Sequence, residues 1–258
     1  MKPKISVAII TYNEERNIQR CLASVQQVAD EIIIVDSYST DQTEQLAGLF
    51  GVKFIQNKFE GHIQQKNRAL QLCSHEWVLS LDADEALSNE LIESILLWKN
   101  THPVENAYSF YRLTNYCGKW VRHCGWYPDE KIRLVRKGKA IWGGVNPHDK
   151  LIAEGSTGTL AGDILHYSYY TKDDHLKQIE FFGKIAANEM YTAGKKIPTW
   201  LIYLKTIVQF IKSFFIKRGF LDGKTGFQIS YLSAFATYRK YSLLRKMYYE
   251  NYHNLKNR

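Results

Sequence analysis

No Gly-x-Gly-x-x-Gly follows the first apolar run of this chain, and no Gly-x-x-x-x-Gly-Lys-Ser/Thr phosphate loop occurs in its 258 residues. The first absence argues against a dinucleotide oxidoreductase, the second against a P-loop nucleotide triphosphatase. Cysteine is scarce. Cys21, Cys73, Cys117 and Cys124 form no Cys-x-x-Cys pair and no ligand cluster, and they read as free thiols of a reducing compartment rather than a Cys117–Cys124 bridge. No Ser–His–Asp or Cys–His signature stands out, so no enzyme nucleophile is expected. Internal repeats and low-complexity tracts are missing. The N-terminus enters a core strand almost at once, so no signal peptide is expected.

What is present alternates. Ile5 to Ile10 is a β-branched run that reads as a buried strand, followed by the polar Thr11-Tyr12-Asn13-Glu14-Glu15 and a helical pattern from Asn17 to Val28. Glu31 to Val35 is a second such strand, ending in Asp36-Ser37-Tyr38-Ser39-Thr40-Asp41, with a helix starting near Thr43. Strand, polar loop, helix, strand is the pattern of βαβ units in a parallel sheet. Ligands of such sheets bind at the carboxyl ends of the strands. A third apolar run, Val78 to Leu81, ends in Asp82-Ala83-Asp84-Glu85. Paired carboxylates are hard oxygen donors that suit Mg²⁺ or Mn²⁺ bridging to phosphate. Thr11 to Glu15, Asp36 to Asp41 and Asp82 to Asp84 are therefore expected on one rim.

Ile5-Ser-Val-Ala-Ile-Ile-Thr-Tyr-Asn-Glu-Glu, Val35-Asp-Ser-Tyr-Ser-Thr-Asp, Lys66-Asn-Arg-Ala-Leu and Leu81-Asp-Ala-Asp-Glu, in this order, resemble the signatures of family-2 glycosyltransferases. The likeness covers about the first hundred residues. More loosely, Trp126-Tyr-Pro-Asp-Glu-Lys-Ile-Arg-Leu-Val-Arg, Pro147-His-Asp and Gly219-Phe-Leu-Asp-Gly resemble the branch with lipopolysaccharide-core β-1,4-glucosyltransferases of Gram-negative bacteria. The resemblance implies an α/β protein of the GT-A fold, with a mostly parallel central sheet flanked by helices and a C-terminal helical extension. It implies an inverting enzyme in which Thr11, Tyr12, Asn13 and Glu14 line the base and ribose. Asp36, with Ser37 beside it, would accept from the uracil imide. Lys66 and Arg68 would face the diphosphate, Asp82 the ribose or a metal-bound water, and Asp84 the metal. Residue by residue, plainer readings stand beside these: Asp36 and Asp41 suit a turn or a helix cap, and Lys66 and Arg68 suit a solvated helix face.

Single displacement needs a general base on the acceptor side. The family's usual Glu-Asp pair has no clean copy here. Two candidates remain. Asp149, in Val145-Asn-Pro-His-Asp, follows the strand expected from Lys131 to Arg136 and a Trp142-Gly-Gly turn. Asp129 has the aromatic neighbours Trp126 and Tyr127, able to stack on a sugar. Asp149 is favoured, with His148 beside it to orient acceptor or base; an Asx turn next to Pro is the plainer reading of either Asp. His166 ends an apolar strand and is a candidate third metal ligand, or simply a histidine satisfied at a strand end.

Charge is uneven. Lys195 to Arg258 holds 13 Lys and Arg against 2 Asp and Glu, whereas the preceding 194 residues hold 21 against 24. Thr199 to Ile216 is apolar around most of a helix, with Lys205, Gln209 and Lys212 in one polar stripe. Two lysines in so short a stretch argue against a transmembrane span and for a helix in the membrane interface. A helix from about Phe227 to Asn251 follows. Packing on the catalytic part, an anionic membrane surface and a homo-oligomer face are all open for this tail. Nucleic acid is not expected, because no nucleic-acid fold signature accompanies the basic and aromatic residues.

The sequence is thus read as a catalytic domain over 1–194, with a nucleotide-sugar half to about residue 100 and an acceptor half beyond, and a basic amphipathic extension over 195–258. The expected activity is metal-assisted transfer of a hexose, glucose by resemblance, from a UDP-sugar to a lipid-linked or other envelope saccharide. The expected place is the cytoplasmic side of a bacterial inner membrane, peripherally bound. A polyprenyl-phosphate glycosyltransferase and a non-catalytic sugar-nucleotide or saccharide binding module are the alternatives.

Overall fold

The computed structural model describes residues 2–145 and 148–256, without the side chains of Val145, His148 and residues 252–256. The chain divides into two compact units, Met1–Leu113 with Pro128–Tyr167, and Thr114–Tyr127 with Ser168–Arg258. The expected boundary after residue 194 falls inside the second unit, which also takes in 114–127 and 168–194.

The first unit opens with strand β1 (Ile5–Thr11), helix α1 (Ile18–Val25), β2 (Glu31–Asp36), α2 (Thr43–Gly48), β3 (Lys53–Gln56), α3 (His62–Leu72) and β4 (Trp77–Asp82). β5 (Glu85–Leu87), α4 (Asn89–Trp98), β6 (Ala107–Tyr116), β7 (Lys119–Val121), β8 (Glu130–Arg136), β9 (Ala140–Val145), β10 (His148–Ala153) and β11 (Thr157–Tyr169) follow along the chain, with β7 and the last residues of β6 and β11 counted in the second unit. Among the described residues the main sheet runs β3-β2-β1-β4-β8-β6-β11-β5, with β7 on β6, and β9 and β10 form a separate hairpin. β3, β2, β1 and β4 are parallel; β8 joins β4 antiparallel and β6 joins β8 antiparallel. The sheet is α/β and mixed, and its parallel part is the part built from the βαβ units.

β1 sits at the centre of that part because it is apolar on both faces. Ile5, Val7 and Ile9 pack with Ile18, Cys21, Leu22 and Val25 of α1. Ala8 points the other way, toward Ile33, Val35, the α3 residues Ala69 and Leu70, and Cys73 just after that helix. Alternation along a strand sends successive side chains to opposite faces, so a strand buried on both sides is apolar except where a polar side chain finds a partner, as buried Ser6 does in Glu31. Each such aliphatic side chain contributes about 1.5–3 kcal/mol on full burial. The register matters for function: Thr11 pairs with Asp36, and Ile10 with Asp82. The carboxyl ends of β1, β2 and β4 therefore stop at one level.

The second unit holds α5 (Lys172–Thr192), α6 (Thr199–Ile211) and α7 (Gly223–Lys256). α5 starts on a capping box, in which the Thr171 hydroxyl accepts from the Asp174 amide and the Asp174 carboxylate accepts from the Thr171 amide. A π-helical stretch, Lys212–Ile216, and a 3-10 turn, Gly219–Asp222, join α6 to α7. This turn needs glycine, since a Cβ on Gly226 would lie 1.8 Å from the Gly219 carbonyl oxygen. Tyr116, Val121, Cys124, Ile179, Ile229 and Leu232 form the unit's core. Thr199–Ile216 is, by length and composition, the one helix among the described residues able to cross a membrane, and it is mostly exposed. All four cysteines are free.

Candidate active site

The loops after β1 and β2 hold each other through side chains. Asp36 is fully buried; its carboxylate accepts from the Thr11 hydroxyl at 2.8 Å and from the Ser39 amide at 2.7 Å. Asn13 takes a left-handed conformation (φ 54°) that lets its amide donate to Ser39 Oγ and its Oδ1 accept from the Thr40 amide, both at 2.8 Å. The Glu14 amide donates to Thr43 Oγ1 at 2.8 Å and the Glu15 amide to Asp41 at 3.0 Å. Asp41 also accepts from the Thr43 amide at 3.0 Å. Asp36 and Asp41 are thus loop anchors by geometry, and Tyr12 and Tyr38, in the two loops they hold, are exposed. Buried Gln65 of α3 donates to Ser37 Oγ at 3.0 Å and accepts from Asn57 at 2.8 Å, fixing the end of β2 against α3.

One turn of α3 carries the pivot of the site. Lys66 is buried, and its ammonium lies 2.8 Å from Asp82 and 2.8 Å from Asp149, with the Trp142 ring centre at 4.3 Å. Asp82, the last residue of β4, also meets Arg133 of β8 at 3.2 Å. Burial alone would raise the Asp82 carboxyl, but the Lys66 and Arg133 charges outweigh it and hold it far below the usual carboxylate range. Arg133 is 3% exposed and pairs with Glu85, itself buried, at 2.7 Å. Two of its nitrogens, Nε and Nη1, find no acceptor among the described residues. Glu85 also accepts from the Asp82 amide at 3.0 Å, which fixes the turn through Ala83 and Asp84. The Asn67 side chain donates to the Trp142 carbonyl at 2.8 Å and accepts from the Trp142 amide at 2.9 Å. α3 and the β9–β10 hairpin that carries Asp149 are therefore joined side by side.

Asp84 faces His166 of β11, Oδ2 to Nε2 at 3.1 Å. Burial would raise its carboxyl, yet the His166 charge and hydrogen bond hold it low; burial would lower the His166 imidazole, yet the Asp84 charge and hydrogen bond raise it. Glu14 is pushed up to about 7 by burial and by Asp84, Asp82 and Asp41, against the Asn17 hydrogen bond that favours its anion. Among the described residues no three His, Cys, Asp or Glu side chains are arranged to hold a metal ion. Asp84 and His166 are an adjacent carboxylate and imidazole, a fit for a divalent ion whose other ligands are phosphate and water oxygens.

Other candidates lie differently. Asp129 is bound by Arg112 at 2.8 Å and Lys131 at 2.8 Å, and Arg112 approaches Glu85 at 3.8 Å. Arg68 is exposed, and two residues beyond Lys66 it stands about 200° around the helix from it. The backbone of His148 opens β10, but its side chain lies outside the described residues. Arg133, Trp142 and Gln65 were not singled out from the sequence. The signal for Arg133 was there: a cation inside the apolar Lys131-Ile-Arg-Leu-Val strand needs a buried anion as partner.

The sequence model of the family described as Glycosyl transferase family 2 matches residues 6–152. The chain is 33% identical to an uncharacterised glycosyltransferase of Rickettsia typhi over 95% of its own length and 87% of that protein's. It is 26% identical to the lipopolysaccharide core biosynthesis glycosyltransferase LpsC of Rhizobium meliloti, over 94% of this chain and 96% of that protein. Among solved structures it is similar to residues 1–349 of TarS from S. aureus in complex with UDP, at 15% identity and a TM-score of 0.46, covering 96% and 92% of the two chains.

Proposed function

The chain belongs to glycosyl transferase family 2 and has the GT-A fold, and on that premise we propose that it transfers a hexose from a UDP-sugar to a lipid-linked saccharide of the cell envelope, with inversion. The observation that carries this reading is the Lys66 ammonium between Asp82 and Asp149, next in sequence to the Gln65 that holds Ser37 of the Asp36 loop. One side of Lys66 would be the donor side, where Thr11, Tyr12, Asn13, Glu14, Asp36 and Ser37 line base and ribose. The other side would be the acceptor side.

The mechanism follows from these groups. The Asp149 carboxylate takes the proton of the acceptor hydroxyl as its oxygen bonds to the anomeric carbon. The bond from that carbon to the diphosphate oxygen breaks, and the electron pair leaves on UDP. Lys66 stabilises the charge developing on the leaving group. Asp84 and His166 would hold a Mg²⁺ or Mn²⁺ ion, which when bound supplies further positive charge to the diphosphate. The lipopolysaccharide-core name of the R. meliloti relative supports an envelope acceptor, and a place at the cytoplasmic side of the inner membrane goes with it. Calorimetric titration with UDP, with and without Mn²⁺, followed by a panel of UDP- and GDP-sugars, tests the reading. Metal-dependent UDP binding and an inverted anomeric signal in the product support it, and no nucleotide binding in either condition overturns it.

A further inference from the structure

The α6–α7 hairpin exposes an apolar face that its own unit leaves uncovered. Trp200, Leu204, Ile207, Ile211 and Phe215 recur at spacings of three and four, so they share one side of the helix, with Trp200 65% exposed. Ile202 and Ser213 face inward instead. The stripe continues into the tip of the hairpin, where Ile216 (69% exposed), Phe220 and Leu221 stand out. The tip is a held shape. The Cys124 amide donates to the Lys217 carbonyl at 3.0 Å, and the His123 amide to Asp222 at 2.9 Å. Arg218 takes a left-handed conformation (φ 54°) between them.

Charge surrounds this face and has one sign. Lys205, Lys212, Lys217, Arg218 and Lys224 are exposed along it. The only acids from Lys195 to Arg258 are Asp222 and Glu250. Asp222 is engaged by the His123 amide and ring at 2.9 and 2.8 Å, and Glu250 lies 3.6 Å from Lys246, far along α7. A two-fold pairing of this face would set these cations against the same cations of a second copy, with no acid to answer them. An anionic bilayer answers both the charge and the apolar stripe. Spanning does not suit Thr199–Ile216, because Lys205 and Lys212 lie within it and the basic, tyrosine-rich α7 runs alongside α6.

We infer that the α6–α7 hairpin lies flat in the headgroup region of an anionic membrane, with the tip from Phe215 to Leu221 inserted among the acyl chains. This deepens the envelope reading above, but it rests on the second unit alone and is tested without turnover. The full chain is floated with vesicles of phosphatidylcholine, alone or with about a third phosphatidylglycerol. The expected result is binding to the anionic vesicles that weakens at least about tenfold between about 0.1 M and about 0.5 M salt. Replacing Phe215, Ile216, Phe220 and Leu221 together by Ser lowers it by about tenfold or more, while UDP binding stays as it was. In the wild type, brominated lipid quenches a tryptophan signal that is absent from W200F, a readout that needs no destabilising change. The inference is overturned by full-length protein that stays unbound with anionic vesicles, by binding indifferent to the Ser variant, or by a dimer that the Ser variant splits into monomers while vesicle binding is nil. Loss of UDP binding in the wild type, with vesicle binding intact, would overturn the catalytic reading and leave this one standing.

Discussion

Lys66 holds Asp149 at 2.8 Å across 83 residues of sequence, and the same ammonium holds Asp82 at the same distance. One cation thereby joins the group proposed as base to the end of the donor-side strand. While the pair stands, the Asp149 carboxylate is a spectator anion. A diphosphate competing for Lys66 would release it to take a proton, so donor binding is expected to precede acceptor deprotonation.

Two substitutions separate these roles. Asp149→Asn is expected to lower kcat by about a hundredfold or more with UDP affinity little changed. Lys66→Met is expected to lower UDP affinity as well as kcat, by about two orders of magnitude in kcat/KM. Steady-state kinetics with calorimetry on both variants decides it. Full turnover in Asp149→Asn would move the base elsewhere, to Asp129 first, although that carboxylate is already held by Arg112 and Lys131.

Asp84→Ala is expected to remove the dependence of UDP binding on Mn²⁺ while leaving the fold intact, because Asp84 is in the turn after β4 and its carboxylate is ion-paired with His166. Chelation of the wild type should reproduce the effect. UDP affinity that still rises with Mn²⁺ in the variant would refute the metal role.

Glu85 and Arg133 form a buried pair 2.7 Å apart. Glu85→Ala leaves a guanidinium in the interior without its main counter-charge, which costs about 3–5 kcal/mol. It also frees the Asp82 amide. Urea denaturation should show a midpoint lowered accordingly; a change under about 1 kcal/mol would mean that water or Asp82 compensates.

Acid should loosen the second unit through His175. This ring is buried, its Nδ1 lies 3.3 Å from the Tyr116 hydroxyl, and burial pushes its pKa down to about 4. In the unfolded chain it titrates near 6.5. Between those values the unfolded state binds the extra proton, so stability falls as pH drops through the window and the loss is complete below about 4. The loss should be on the order of 3 kcal/mol. Urea midpoints at neutral pH and near pH 4.5 should converge in His175→Gln, and an equal acid sensitivity in that variant would assign the effect to other groups.

Much of the first unit was legible because its grammar is local. Apolar runs, β-branched in β1 and β2, made β1, β2 and β4, and the polar residues after them had to end at one rim once the strands were parallel. The expected strand from Lys131 to Arg136 is β8, and the expected helix from about Phe227 is α7, longer at both ends. The mixed half of the sheet was not legible, because antiparallel neighbours such as β8 beside β4 are chosen by contacts between distant segments. The same holds for Arg133: its partners Glu85 and Asp82 lie 48 and 51 residues away. Thr199 to Ile216 read as one α-helix, whereas its last turn widens into a π-helical stretch that carries Ser213 inward to the Cys124 carbonyl.

The reciprocal hydrogen bonds of Asn67 with Trp142 make the amide a substitute rung on the open side of β9. The hairpin gains a neighbour where it would otherwise have an unpaired edge, and that neighbour is the residue next to Lys66. A single side chain thus acts as the ruler between helix and hairpin. Asn67→Asp keeps the size but loses the donor, setting a carboxylate against the Trp142 carbonyl, so the gap between ammonium and Asp149 should widen without either of those residues being touched.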